Sequence, residues 1–217
     1  MLESAFIYKR RSLVCDHSNT TACASLFRMA RGRSFPTLST DRLALRPLRA
    51  DDEEFLARLD SDPLVMEHIG EGSLSIASAL DKAKLEIQAA SLRLHPGKLV
   101  IEIRGTGTRV GWVELAKYRG PRLDESLSYD LQIGYQFAPD YWGLGYATEA
   151  VQAAVSYAFE KLQLRRLVAY ARIENHRSAR VLAKAGFVPV RAWREDDRHT
   201  SSVYVVQAGS RHQSGLW

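Results

Sequence analysis

The residues best suited to chemistry lie in Pro139-Asp140-Tyr141-Trp142-Gly143-Leu144-Gly145-Tyr146-Ala147-Thr148-Glu149-Ala150, between a strand pattern and a strongly periodic helix pattern. Gly143 and Gly145 allow the backbone to approach a bulky anion closely. The unpaired N–H groups of the first helical turn then point at that anion, and the helix dipole favours it. A charge at such a terminus is worth about 0.3–1 kcal/mol, rising to about 2 kcal/mol when partly buried. Several such amides together hold a pyrophosphate without a lysine. The same residues equally suit a tight β-to-α turn whose glycines merely permit packing, and the segment alone does not choose. It is neither GxGxxG nor GxxxxGK[ST], because Thr148 stands three after Gly145 and no Gly-Lys follows, so a dinucleotide fold or a P-loop fits poorly.

A second constellation follows. Asn175-His176-Arg177-Ser178 opens a short helical pattern that runs to Ala185 and is closed by Gly186. Asn is a good N-cap and Gly a good residue just past a helix end. Ser178 places a hydroxyl in the first turn, either a proton carrier or an ordinary helix-start hydroxyl. Downstream, Glu195-Asp196-Asp197 is either a source of a base or a solvated turn, and Glu114, inside a hairpin strand, is a reserve base candidate.

The elements that must position these groups alternate in type. Arg42–Leu48 alternates as a first strand stopped by Pro47. Asp51 and Asp52 start a helix through Phe55, Leu56 and Leu59 that ends at Asp62-Pro63, and a second helix fits Ser75–Leu94. Lys98–Arg104 and Arg109–Tyr118 form a hairpin through Gly105-Thr106-Gly107-Thr108, and Ser128–Phe137 is the next strand. Ala147–Leu162 carries one apolar stripe at helical spacing. A strand at Arg165–Arg172, the helix from His176 to Ala185, and closing strands at Val188–Arg194 and Ser202–Ala208 complete the order. This describes an α/β fold: one mixed sheet with helices on both faces.

Composition narrows the partners. The net charge is +5, but residues 1–35 hold six basic residues against Glu3 and Asp16, which leaves the body near neutral. The basic balance belongs to a leader at 1–35, expected to be a disordered tail, a transit peptide, or translated sequence upstream of a start at Met29. A single folded catalytic domain is expected over 36–208, followed by a tail at 209–217. Both cysteines, Cys15 and Cys23, lie in the leader, so the body has no cysteine nucleophile or Cys-type metal site, and no histidine pair has metal-ligand spacing. No stretch approaches the roughly 18 apolar residues of a membrane span. The expectation is a cytoplasmic protein without metal, membrane or nucleic-acid partner. Oligomeric state is open, with a homodimer as one alternative.

The order and spacing of Thr40-Asp41-Arg42-Leu43-Ala44-Leu45-Arg46-Pro47, Ile133-Gly134-Tyr135, Trp142–Ala150 and Asn175-x-x-Ser178 leading to Gly186-Phe187 resemble the GCN5-related N-acetyltransferases. More narrowly, the sequence is similar to the ribosomal-protein alanine and serine N-terminal acetyltransferases, over about residues 37–208. The resemblance implies a mostly antiparallel sheet whose central strands, near Phe137 and Val168, splay apart to admit acetyl-coenzyme A. It implies pantetheine contacts at Phe137, Ala138 and Asn175, and a pyrophosphate on Trp142, Gly143, Leu144, Gly145, Tyr146 and Ala147. Arg180 would meet a coenzyme phosphate or simply face solvent. Ser178 would protonate the thiolate, and Asp197 or Glu195 would take a proton from the amine. Two departures stand out: Gln132 replaces a Glu that many relatives use as base, and Asp140 and Leu144 replace basic or amide residues. The implied reaction is acetyl transfer from acetyl-CoA to a primary amine, most simply a protein or peptide N-terminus. The alternatives are a small amine (polyamine, amino-sugar or antibiotic), or a non-catalytic acyl-CoA-binding sensor.

Overall fold

Strand residues alternate between two faces, and this chain uses both. In the computed structural model, which describes residues 35–70, 72–91, 97–118, 131–194, 196 and 198–209, eight strands form one sheet. They are β1 (Leu38–Ser39), β2 (Leu43–Pro47), β3 (Lys98–Ile103), β4 (Arg109–Lys117), β5 (Leu131–Phe137), β6 (Arg166–Arg172), β7 (Val188–Arg194) and β8 (Thr200–Gln207). Their spatial order is β1-β2-β3-β4-β5-β6-β8-β7. Only β5–β6 is parallel; the other neighbours are antiparallel. The expected mixed, mostly antiparallel α/β sheet is what forms. The leader up to residue 34, the Gly120-Pro121 loop, the first residues of the strand expected from Ser128, the tail from 210, and both Glu195 and Asp197 lie outside the described residues.

Among the described residues five α-helices cover the sheet: α1 (Glu53–Ser61), α2 (Pro63–Met66), α3 (Ile76–Ser91), α4 (Tyr146–Glu160) and α5 (His176–Lys184). On one face Val100 and Trp112 pack with Phe55, Leu56, Leu59, Val65 and Ala83 of α1–α3. On the other, Leu99, Ile101, Val113 and Leu115 pack with Ala150, Val151, Ala154 and Ala158 of α4, joined by Leu182 of α5. Full burial of such a side chain is worth about 1.5–3 kcal/mol.

One boundary differs from the sequence reading. Asp62-Pro63 does end α1, but it also begins α2: the Asp62 carboxylate accepts the Leu64 N–H at 2.8 Å, and Pro63 occupies the first turn, where its missing N–H costs nothing. A buried ion network fixes the 3₁₀ turn Ala50–Asp52 to the sheet. Arg46 donates to both Asp52 oxygens at 2.8 Å and to Glu102 at 2.6 Å, and Arg109 approaches Asp52 at 3.1 Å.

The feature that matters for function is at the centre. β5 and β6 are in register only at Leu131↔Leu167 and Gln132↔Val168. Beyond that point β5 continues along β4 to Phe137, and β6 continues along β8 to Arg172. The two strands therefore diverge and leave a wedge-shaped opening through the sheet.

Candidate functional site

The opening leads into a cleft of about 1080 Å³ that runs from α2 to α5. One end lies at the start of α4. Gly143 and Gly145 adopt φ of +78° and +83°, left-handed values that other residues resist. Gly145 is the N-cap of α4, and no side chain caps that end. The first helical bond runs from the Glu149 N–H to the Gly145 carbonyl at 3.1 Å, so the amides of Tyr146, Ala147 and Thr148 precede the ladder. A 15-residue helix thus directs open N–H groups toward the cleft, the arrangement that binds phosphate groups.

This turn is held from behind by the first strand. Arg42 donates from Nη1 to the Leu144 carbonyl at 3.0 Å and from Nε to Glu149 at 2.7 Å, and its guanidinium lies 4.6 Å above the Tyr146 ring. The other Glu149 oxygen accepts the Thr40 hydroxyl at 2.6 Å and the Arg42 N–H at 3.0 Å. Burial alone would raise the Glu149 carboxyl, but these bonds from Thr40 and Arg42 hold it below the usual range.

Midway along the cleft, the Tyr135 and Ser178 hydroxyls are 2.8 Å apart, and either can donate. Burial pushes the Tyr135 phenol well above its ordinary value, against the bond to Ser178, so it stays protonated. Ser178 is fixed because its own N–H is bound by the Asn175 side chain at 3.0 Å, which caps α5. Arg177 places its guanidinium 4.9 Å over the Trp142 ring beside the glycine turn. At the end toward α2, Arg172 of β6 crosses to the carbonyls of Gly70 (2.6 Å) and Glu67 (3.4 Å).

The structure brings Phe137, Trp142, Gly143, Gly145, Ala147, Asn175, Ser178 and Arg180 together as cleft-lining residues. Ala138, Leu144 and Tyr146 do not line it. Ala138 gives its N–H to the Val110 carbonyl, because alternate residues of β5 bond toward β4. Leu144 turns its carbonyl to Arg42 and its side chain to solvent, and the Tyr146 ring is covered by Arg42. The Phe137 carbonyl accepts the Trp142 indole N–H at 2.7 Å. By the same alternation, the Tyr135 backbone and the Phe137 N–H face the wedge. Asp196 is folded onto its own turn, bonding the Arg198 and His199 N–H groups and the His199 ring, and these contacts, led by His199, lower its carboxyl to about 2. Sequence reasoning missed Tyr135 as a site residue although Ile133-Gly134-Tyr135 was noted, and it missed Arg177. The Arg42–Glu149 clamp had no local signal. Among the described residues no group of three His, Cys, Asp or Glu side chains is placed to hold a metal, and no helix is long and apolar enough to cross a membrane.

A family model for the acetyltransferase (GNAT) domain matches residues 42–188. The chain belongs to the GNAT family. Among similar proteins is the FsC-acetyl coenzyme A-N(2)-transacetylase of Aspergillus fumigatus, 31% identical over 71% of this chain; the chain spans 66% of that protein's length. An uncharacterized N-acetyltransferase of Bacillus subtilis, YnaD, is 30% identical over 69% of this chain and 81% of its own length. A GNAT-family acetyltransferase structure from Bacillus anthracis superimposes with a TM-score of 0.67 at 25% identity, covering 79% of this chain and 98% of that one. This GNAT chain is an acetyl-CoA-dependent N-acetyltransferase. The described residues fit that cosubstrate: an uncapped helix start for its phosphates, an open strand edge for its arm, and a hydroxyl pair deeper in the cleft.

Proposed function

We propose that the enzyme acetylates the α-amino group of a protein or peptide N-terminus in the cytoplasm. The observation that carries the reading is the single cleft that joins the Gly143–Gly145 turn, the unzipped β5–β6 edge and the Tyr135–Ser178 pair, and continues to Leu64–Gly70. A cleft of about 1080 Å³ has room for an extended chain end beside the cosubstrate. In this reading the amides of Ala147 and Thr148 at the Gly143–Gly145 turn bind the pyrophosphate, with Arg180 beside it. The Phe137 N–H and Asn175 orient the pantetheine arm, and Ser178, backed by Tyr135, supplies the proton that the departing thiolate takes up. Glu195 and Asp197 remain the acidic candidates that the family resemblance adds.

A second reading, a small-molecule amine as acceptor, is favoured by the Aspergillus relative, whose name specifies transfer to an N(2) nitrogen. Incubation with acetyl-CoA and a panel of peptides, polyamines and amino-sugars separates the two. Free thiol release and product mass are the readouts. Acetylated peptides with unmodified small amines support the first reading, and the reverse pattern overturns it.

A further inference from the structure

The β4–β5 ladder sets Trp112 opposite Gln136, Glu114 opposite Gly134 and Ala116 opposite Gln132. Directly opposed residues share a face, and alternate residues along each strand return to it. These six therefore form one surface, the one that packs on α1–α3 through Trp112. The helical cover reaches only part of it. Trp112 donates to Gln136 at 2.9 Å and Gln136 meets the Met66 sulfur at 3.3 Å, whereas Glu114, Gly134 and Gln132 lie beyond and line the cleft.

Glu114 is unusual among the carboxylates. It is half-buried, yet among the described residues it has no hydrogen-bond or ion-pair partner. Among the other buried or half-buried acids, Asp52, Asp60, Glu53, Glu86, Glu102 and Glu149 are each held by Arg or Lys, and Asp62 caps the Leu64 N–H. Gln132 Oε1 is likewise buried without a partner. Between these two acceptors stands Gly134, where an added Cβ would find its nearest neighbour, Trp112 Cζ3, at 3.8 Å. A notch thus exists with an unpaired carboxylate on one side and an orphaned amide oxygen on the other. Buried acceptors without donors are costly, and a primary ammonium offers three donors.

The notch and the Tyr135–Ser178 pair lie on opposite faces of the sheet, because Tyr135 packs with the α4–α5 core. A thioester held in the β5–β6 wedge therefore has the hydroxyl pair on one side and Glu114 on the other. Resting on the acetyl-transfer reading of the cleft, we propose that Glu114 is the general base and that the acceptor amine binds in the Gly134 notch, held by Glu114 and Gln132. The ammonium gives one proton to Glu114, and the freed lone pair attacks the acetyl carbon. As the carbon–nitrogen bond forms, the carbon–sulfur bond breaks with its electron pair on sulfur. A second nitrogen proton replaces the one that Ser178 passes to sulfur, and Glu114 releases its proton to water. The products are the N-acetyl amine and coenzyme A thiol.

The titratable and charged groups around Glu114 are few. Lys98 stands opposite it on β3, but its ammonium bonds Glu86 at 2.6 Å and lies over the Trp112 ring. Glu67 and His68 follow α2, Arg172 and Tyr170 come from β6, and Glu174 and His176 from the start of α5. His68 is an imidazole lining the same cleft and is the necessary control.

The test measures steady-state rates of Glu114→Gln, Glu114→Asp, Gly134→Ala and His68→Gln from pH 6 to 10, with coenzyme A affinity by calorimetry. Glu114→Gln is expected to lower kcat/KM for the amine by about 10²-fold or more at pH 7. The deficit should shrink as the pH passes the amine's own pKa, coenzyme affinity should not change, and Asp should restore part of the rate. Gly134→Ala is expected to raise KM for the amine alone. A wild-type pH profile in Glu114→Gln, or a loss confined to His68→Gln, overturns the assignment while leaving acetyl transfer intact. A wild-type protein that binds no coenzyme A overturns the reading of the cleft and this base with it.

Discussion

Arg42 and Glu149 lie 107 residues apart and are joined side chain to side chain, Nε to Oε2 at 2.7 Å. The pair ties β2 to the first turn of α4, and through the Leu144 carbonyl it fixes the curvature of the glycine turn. The Arg42 side chain is about half exposed, so the direct contribution to stability is small, about 0.2–1 kcal/mol. Its larger effect is on placement of the amides. Arg42→Ala and Glu149→Gln should each weaken coenzyme A binding by about 3- to 10-fold, close to 1 kcal/mol, with little change in thermal midpoint. Calorimetry at low and high salt checks this; unchanged affinity in both variants would show that the turn holds its shape unaided.

Gly145 offers a sharper perturbation. Its φ of +83° strains any other residue, and a Cβ there would meet Arg42 Nη2 at 3.3 Å. Gly145→Asp adds a negative charge at the helix start, where the pyrophosphate is to bind. We expect at least a tenfold loss of coenzyme A affinity, or about 1.4 kcal/mol, in a protein that still folds. Calorimetry and circular dichroism together separate the two effects.

Tyr135 and Ser178 share one hydrogen bond, and their effects on rate should overlap. Ser178→Ala and Tyr135→Phe should each lower kcat more than they alter KM for acetyl-CoA, since they act on the leaving group. The double variant should lose less than the product of the two single losses. Because burial raises the Tyr135 phenol above its ordinary pKa near 10, the wild-type rate should show no alkaline fall from phenol ionisation below that pH. Fully multiplicative losses would mean that the hydroxyls do not act as a unit.

The Arg46–Asp52 pair governs stability rather than rate. Burial alone would raise the Asp52 carboxyl, but bonds from Arg46 and the Arg49 N–H and the charges of Arg46 and Arg109 leave it lowered overall. Its folded pKa thus lies below its unfolded value near 4. The stabilisation is complete above that unfolded value and disappears as the pH falls through the folded one. Removing either partner of a buried pair costs about 3–5 kcal/mol, so Asp52→Asn should lower the thermal midpoint by roughly 6–20 °C for a domain of this size. Asp52→Asn should also flatten the acid limb of stability; a limb as steep as that of the wild type would assign it to other carboxylates.

Much of this architecture is legible in the chain, because the signals are local. The apolar stripe from Ala150 to Ala158 marks α4, Asn175 and Gly186 bracket α5, and the two glycines before Tyr146 mark the anion-binding turn. What stayed hidden depends on distant pairing. Nothing near Glu149 announces Arg42, and nothing near Tyr135 announces Ser178. The status of Glu114 emerges only when the other half-buried carboxylates are seen to have partners and it has none. The short helix α2 was hidden for a different reason, since one Asp-Pro pair both stops a helix and starts another.

The wedge between β5 and β6 has a thermodynamic side. Strand edges normally lie at a sheet's margin, but here an unzipped edge sits at its middle, beyond the rung Gln132↔Val168. The Tyr135 and Phe137 amides that face it must be solvated until a ligand replaces the missing rungs. Their hydrogens should exchange quickly in the free protein and slowly with coenzyme A bound. The thermal midpoint should rise with the logarithm of coenzyme concentration. The cosubstrate would then serve, between turnovers, as a removable part of the sheet.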